Sequence, residues 1–200
     1  NFHPISPYAI SKLYSHWMVN LYREAYGIFC CSGILFNHES PLRGNEFVTK
    51  KIVMDLAKVK FNQTPYLKLG NIYSKRDWGY SLDYVEAMWQ MLQKSKPDDF
   101  VISSGMTHTV KSFVNEAAKN YNFDLKWIGT GLNEKGVDKK TGKVIVKIDK
   151  KFFRPTEVNY LFGNSSKAKK QLKWHPKTNF KKLVKMMCDD ELAKYDSDYL

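Results

Sequence analysis

Cysteine is scarce: Cys30, Cys31 and Cys188 are all that 200 residues contain. An odd total, with two neighbours that do not normally bridge each other, offers no disulfide framework. The absence of any C-x-x-C excludes a zinc ribbon and a thioredoxin-type dithiol. Cys30 and Cys31 sit in the apolar run of residues 28–36 and read as small core residues rather than reactive thiols. This usage fits a reducing cytoplasm. Long hydrophobic runs are missing too, since none approaches the roughly 18 residues of a membrane span. His3, His16, His38, His108 and His175 have no metal-ligand spacing and no acidic cluster beside them. There is no G-x-S-x-G, no P-loop and no fixed-period repeat. The dinucleotide fingerprint G-x-G-x-x-G is also absent; Gly129-Thr130-Gly131 starts it but breaks at Glu134.

Acidic residues are in deficit, 20 against 32 Lys plus Arg, for a formal charge of +12. A surplus of that size points to acidic partners: nucleic acid, anionic membrane or phosphorylated small molecules. A lysine-rich solvated surface accounts for it equally well. What the chain has in quantity is core material: 43% hydrophobic and 14% aromatic residues exclude disorder as the default state.

Periodicity predicts the elements. Ser6-Pro7 is a cap followed by a first-turn proline. Ile10, Leu13, Tyr14, Trp17, Met18, Leu21, Tyr22 and Ala25 then recur at helical steps up to a stop at Gly27. Residues 28–36 predict a strand buried on both faces. Val48, Ile52, Val53, Leu56 and Val59 make a second helix, and residues 66–69 and 72–73 are strand-like. Ser81 is placed as the cap of a third helix with the stripe Val85, Met88, Trp89 and Leu92. Residues 100–103 read as a strand, Thr109 as the cap of a fourth helix, and 125–128 as another strand. Residues 129–142, rich in glycine and charge, predict a mobile loop. Val144, Val146 and Ile148 alternate as a half-buried strand does, and two helices close the chain near 165–172 and 180–192. Strands alternating with helices mean α/β with part of the sheet parallel.

Tyr8 and Lys12 stand four apart at the start of the first helix and share a face. An isolated phenol, with a pKa of about 10, is no base at neutral pH. A neighbouring ammonium favours the phenolate, which can then take a proton from a substrate hydroxyl while hydride leaves the same carbon. On spacing alone a helix-surface pair is the better explanation of the two residues.

Context adds to that reading. Pro7-Tyr8-Ala9-Ile10-Ser11-Lys12, followed by a helix and an apolar strand, resembles the extended short-chain dehydrogenase/reductase family. So does Arg76-Asp77-Trp78-Gly79-Tyr80-Ser81-Leu82-Asp83-Tyr84-Val85. Within it, Asn37-His38-Glu39-Ser40-Pro41-Leu42-Arg43-Gly44, Phe47-Val48-Thr49-Lys50-Lys51-Ile52 and Phe153-Arg154-Pro155-Thr156-Glu157-Val158 resemble the GDP-mannose 4,6-dehydratase family. Gly129-Thr130-Gly131 with Glu134-Lys135-Gly136, and Leu172-Lys173-Trp174-His175-Pro176, do the same. The similarity runs over nearly the whole chain.

The resemblance implies the C-terminal part of a Rossmann-type NAD(P)-binding fold interleaved with a smaller α/β substrate-binding domain. Residues 1–38 and about 78–105 would belong to the dinucleotide-binding domain, whose N-terminal part is missing. About 39–77 and 106–200 would belong mainly to the substrate domain. It implies Tyr8 and Lys12 as catalytic and cofactor-binding, with His38 and Arg43 also at the cofactor, NADP. Asn37, Val48, Lys51, Gly70, Arg76, Arg154 and Glu157 would line the GDP-sugar pocket. An upstream Thr and Glu used by the family are absent, so 200 residues alone are expected to be inactive. GDP-mannose is the implied substrate and a homo-oligomer, dimer or tetramer, the implied assembly, with neither nucleic acid nor membrane as partner. Where the family has two adjacent arginines this chain has Leu42-Arg43; in relatives that loop reaches toward a neighbouring subunit's cofactor, which puts the tetramer in doubt. Two other readings are another nucleotide-sugar dehydratase or epimerase of the same family, and a basic nucleic-acid-binding module. The second leaves the Tyr8–Lys12 pair and the Arg76-Asp77-Trp78 segment unexplained.

Overall fold

A computed structural model describes residues 3–153, 158 and 160–197. Helix α1 (Pro7–Tyr26) starts as the sequence predicts. The Ser6 hydroxyl accepts the Ala9 amide at 3.1 Å, Pro7 fills the first turn, and Gly27 closes the helix at φ 64°. Two short strands follow, β1 (Gly33–Leu35) and β2 (Asn37–Glu39), and then α2 (Val48–Lys60). Next come β3 (Leu67–Leu69), β4 (Lys75–Arg76), β5 (Trp78–Tyr80) and α3 (Ser81–Leu92). The chain continues through β6 (Phe100–Ile102), β7 (His108–Thr109), α4 (Val110–Asn120), β8 (Leu125–Ile128), β9 (Lys135–Asp138) and β10 (Val144–Ile148). It ends in α5 (Ser166–Leu172) and α6 (Phe180–Ser197).

Parallel pairing organises the first half. Strand β1 lies beside β6, with Gly33 opposite Phe100, and β2 lies beside β5, with Asn37 opposite Trp78. Helix α3 connects β5 to β6, carrying the chain from one of these parallel pairs to the other. The second half builds a four-stranded mixed sheet in the order β3-β10-β9-β8, parallel only at β3-β10. A short antiparallel pair, β4-β7, joins the two regions.

Two cores hold these parts. The larger packs α2, α4 and α6 with β3 and β10, through Ile52, Leu56, Leu67, Phe113, Val114, Val146, Leu183 and Met187, all fully buried. The smaller packs α3, β6 and α5 around Tyr84, Phe100, Ile102 and Trp174. The Trp174 indole donates to the Asp83 carbonyl at 2.7 Å, so its burial leaves no donor unpaired.

Five expectations need correction. The 28–36 run is a strand only over β1, and Ile34 remains 40% exposed. Side chains take the backbone groups that a ladder would have used: the Arg23 Nε donates to the Cys30 carbonyl at 2.9 Å, and Asp99 accepts the Ser32 amide at 2.8 Å. Ser81 is the first helical residue of α3, not its cap. The cap position belongs to Tyr80, whose side chain makes no capping bond. The stripe of Val85, Met88, Trp89 and Leu92 faces outward, because Tyr84, Ala87 and Met91 meet the smaller core instead. Residues 129–142 contain β9, an inner strand of the mixed sheet. Gly136 lies so close to Val146 that an added Cβ would come within 3.3 Å, and Asp138 pins the following turn through the Thr141 amide and hydroxyl. The alternation in β10 also fails, since Ile145 and Val146 are both buried in a strand flanked by β3 and β9.

Candidate functional site

A cleft of about 420 Å³ opens where the ends of β2, β3 and β4 meet the start of α2 and the turn at Lys150–Phe152. Its wall includes Asn37, Arg43, Val48, Lys51, Gly70 and Arg76. Six residues chosen from separate stretches of sequence thus converge on one space. Phe152 and Phe153 supply aromatic surface to it, Trp78 backs it from the core, and Lys68 and Lys151 add positive charge.

Each side chain is held by its element. Asn37 opens β2, and Val48 is the first residue of α2. Lys51, one turn into α2, pairs with Asp55 at 2.5 Å and lies 4.9 Å from the centre of the Phe152 ring. Gly70 follows β3 where the chain passes the 152–153 backbone. A Cβ there would stand 2.2 Å from the Phe152 carbonyl oxygen, so only glycine fits. Arg76 is in β4 and its Nη1 donates to the Lys75 carbonyl at 2.9 Å. Next to it Asp77 is fully buried, its carboxylate accepting the amides of Ser104 at 2.8 Å and Gly105 at 2.9 Å. Asp77 is therefore an internal anchor for the β4-β5 corner, not a surface partner.

Arg43 is fixed on two sides. Its Nε lies 3.0 Å from the Glu39 carboxylate, an ion-pair contact without a hydrogen bond, and its guanidinium lies 3.5 Å over the Phe47 ring. Glu39, 2% exposed, also accepts the Thr49 hydroxyl at 2.7 Å. Burial raises its carboxyl above the ordinary range, and Thr49 and Arg43 offset only part of that. Leu42, at the tip of the same loop, is 94% exposed.

The other candidates lie elsewhere. Tyr8 and Lys12 share the first turns of α1, with the Lys12 ammonium 5.3 Å from the Tyr8 ring centre, and neither lines the cleft. Tyr8 is 71% exposed. His38 points away from the cleft. Its Nδ1 bonds to the Phe36 carbonyl at 2.9 Å, and its ring packs 5.2 Å from that of Tyr84. Arg154 and Glu157 lie outside the described residues. Among the described residues no group of His, Cys, Asp and Glu could hold a metal ion, and no helix is long and apolar enough to cross a membrane.

Comparison with known proteins decides the family. The family model for GDP-mannose 4,6 dehydratase matches residues 1–187. The chain belongs to the GDP-mannose 4,6 dehydratase family. It is 55% identical over 199 residues to the GDP-mannose 4,6 dehydratase of Dictyostelium discoideum, a match covering 100% of this chain and 54% of that protein. The chain spans about half the length of the curated relatives it matches. Among solved structures, RMD from Pseudomonas aeruginosa complexed with NADPH superposes at a TM-score of 0.77 with 18% identity, over 96% of this chain and 57% of that one. The dTDP-glucose 4,6-dehydratase of Bacillus anthracis in complex with NAD gives 0.77 and 17%, over 98% and 55%. At those identities the likeness shows the fold alone, a Rossmann-type α/β architecture.

Six of the residues named from the sequence line the cleft, but several of their neighbours were not named. Glu39 and Thr49 stand inside the segments that carry the resemblance, yet nothing in their spacing marks a buried carboxylate tied to a hydroxyl ten residues on. Lys68 read as a strand residue, and Phe152 had no assignment; only the fold brings them to the cleft.

Proposed function

We propose that the complete gene product converts GDP-D-mannose to GDP-4-keto-6-deoxy-D-mannose by loss of one water, with a nicotinamide cofactor, NADP, bound to it. The observation that carries this is the convergence of Asn37, Arg43, Val48, Lys51, Gly70 and Arg76 on one cleft, in a chain of this family. A GDP-sugar brings two phosphate charges. Lys51 offers them a point charge and Arg76 a planar fork, while Phe152 and Phe153 offer flat apolar surface to rings. Glu157 and Arg154 are assigned to the nucleotide end on the family resemblance.

The start of α1 suits the cofactor. A lysine and a phenol side by side provide donors for ribose hydroxyls, and His38, bonded through Nδ1 to a carbonyl, keeps Nε2 for a ligand. When bound, NADP supplies the hydride acceptor and donor. Tyr8 takes the proton of the sugar hydroxyl, and Lys12 favours the phenolate by its charge. We assign residues 1–38 and about 78–105 to the cofactor domain and the remainder mainly to the substrate domain. A cytoplasmic homo-oligomer fits this role.

Incubation of the complete gene product with GDP-mannose and NADP, followed by mass spectrometry, tests the reading. The expected product is lighter than GDP-mannose by one water. Turnover of dTDP-glucose in place of GDP-mannose would shift the assignment to another nucleotide-sugar dehydratase.

A further inference from the structure

The cleft contains a buried carboxylate that the proposed reaction does not use. Glu39 ends β2 and is 2% exposed, a place where an ionisable group is rare unless it is paired. Its partners come from two directions. Thr49, fully buried in the first turn of α2, donates its hydroxyl at 2.7 Å. Arg43, in the loop between β2 and α2, presents Nε at 3.0 Å. The Arg43 guanidinium is also stacked on Phe47 at 3.5 Å. Nε stands at ion-pair distance from the carboxylate without a hydrogen bond to it, and one face is stacked, so the terminal nitrogens are what this arginine can offer a ligand in the cleft it lines.

We infer that Glu39 is a positioning residue: its charge holds the Arg43 guanidinium in place so that its terminal nitrogens meet a phosphate group of a ligand in the cleft. An arginine side chain has several rotatable bonds, and ordering it on binding costs affinity. A carboxylate that orders it beforehand removes that cost. Thr49 in turn fixes the carboxylate, so the device runs from the α2 start through Glu39 to Arg43. The loop carrying Arg43 is tied down separately, by the buried Lys50 ammonium, which donates to the Pro41 carbonyl at 2.9 Å and pairs with Glu191 of α6 at 3.2 Å. Loss of Glu39 should therefore free the guanidinium while leaving the loop in place.

This inference rests on the proposed nucleotide-sugar reading for the existence of a phosphate ligand, and that phosphate belongs either to the sugar nucleotide or to the cofactor. The test is a double-mutant cycle in the complete gene product, with Glu39→Gln, Arg43→Ala and the double variant each titrated calorimetrically with GDP and with NADPH. Arg43→Ala should weaken one of the two at least tenfold, which identifies the phosphate's source. Glu39→Gln should weaken the same ligand several-fold in the wild-type background and not at all in the Arg43→Ala background. Equal loss in both backgrounds, or no loss in the first, overturns the positioning role. If Arg43→Ala leaves both ligands unchanged while they still bind, the cleft reading stands and the Glu39 inference falls. If neither ligand binds the wild-type protein, the nucleotide reading itself has failed. Thr49→Val serves as the second variant should Glu39→Gln fail to fold: it should weaken the Arg43-dependent ligand alone, and an unchanged affinity would count against the device.

Discussion

Gly70 carries the tightest steric constraint in the cleft, because the Phe152 carbonyl occupies the space a side chain would need, 2.2 Å from an ideal Cβ. Gly70→Ala must push one backbone segment away from another. We expect a loss of about 1–3 kcal/mol of stability, the usual range for overpacking, and a higher KM for the substrate, read by thermal melts and steady-state kinetics. Tyr8 behaves in the opposite way. It is exposed and carries no packing load, so Tyr8→Phe should leave the melting temperature nearly unchanged and lower turnover by roughly 100-fold or more, the worth of a general base. Wild-type-like turnover would remove Tyr8 from the chemistry. These two residues also mark what a sequence can disclose. The Tyr8–Lys12 pair is visible because helical spacing alone puts both on one face, and the structure keeps them together. Gly70 came only from family resemblance, since the backbone it must avoid lies some eighty residues along the chain.

Elements were legible where local signals were complete and misread where the answer depended on a distant partner. The Ser6-Pro7 cap and the Gly27 stop gave α1 its limits. In α3 both faces are apolar, and only the placement of Trp174 and Phe100 decides which is buried. Strand β9 looked like a loop because its glycine and charges suit a site pressed against Val146 and closed by an Asp138 turn. Helix α1 is attached by polar ties rather than by a buried face. Trp17 and Tyr14 are exposed, while Arg23 pairs with Asp99 and Cys30 donates to the Val19 carbonyl at 3.3 Å. In the 200-residue chain, amide exchange should therefore be at least tenfold faster in α1 than in α2, α4 and α6; equal protection would show that the apolar face is covered. The Asp99 tie also has a pH signature. Burial alone would raise its carboxyl, but the bonds from the Arg23 guanidinium and the Ser32 amide prevail and hold it below the ordinary range. A carboxylate whose folded pKa is depressed stabilises the fold above its unfolded value of about 4 and loses that contribution as the pH falls through the folded value. Asp99→Asn should thus be less stable than wild type by about 1–2 kcal/mol at pH 7. The gap should close as denaturation is followed from about pH 5 to pH 3. A gap that stays constant would mean that the carboxylate charge does not matter.

At the scale of the whole molecule the +12 charge admitted several acidic partners, and the fold narrows its meaning by setting Lys51, Lys68, Arg43 and Arg76 around one cleft. Composition could state the surplus but not its location, because these four cations belong to four different stretches of chain. The alternation of strands and helices conveyed the α/β class, whereas the pairing of β3 with β10 across the mixed sheet left no trace in local pattern. The central claim is that this cleft grips the diphosphate of a GDP-sugar, and calorimetric titration of GDP-mannose into the complete gene product, wild type against a Lys51→Met/Arg76→Met double variant, tests it most directly. Each lost charge contact should cost about tenfold, or roughly 1.4 kcal/mol. The account predicts a dissociation constant about 100-fold higher in the double variant with an unaltered melting curve. An unchanged dissociation constant in a folded double variant would contradict it.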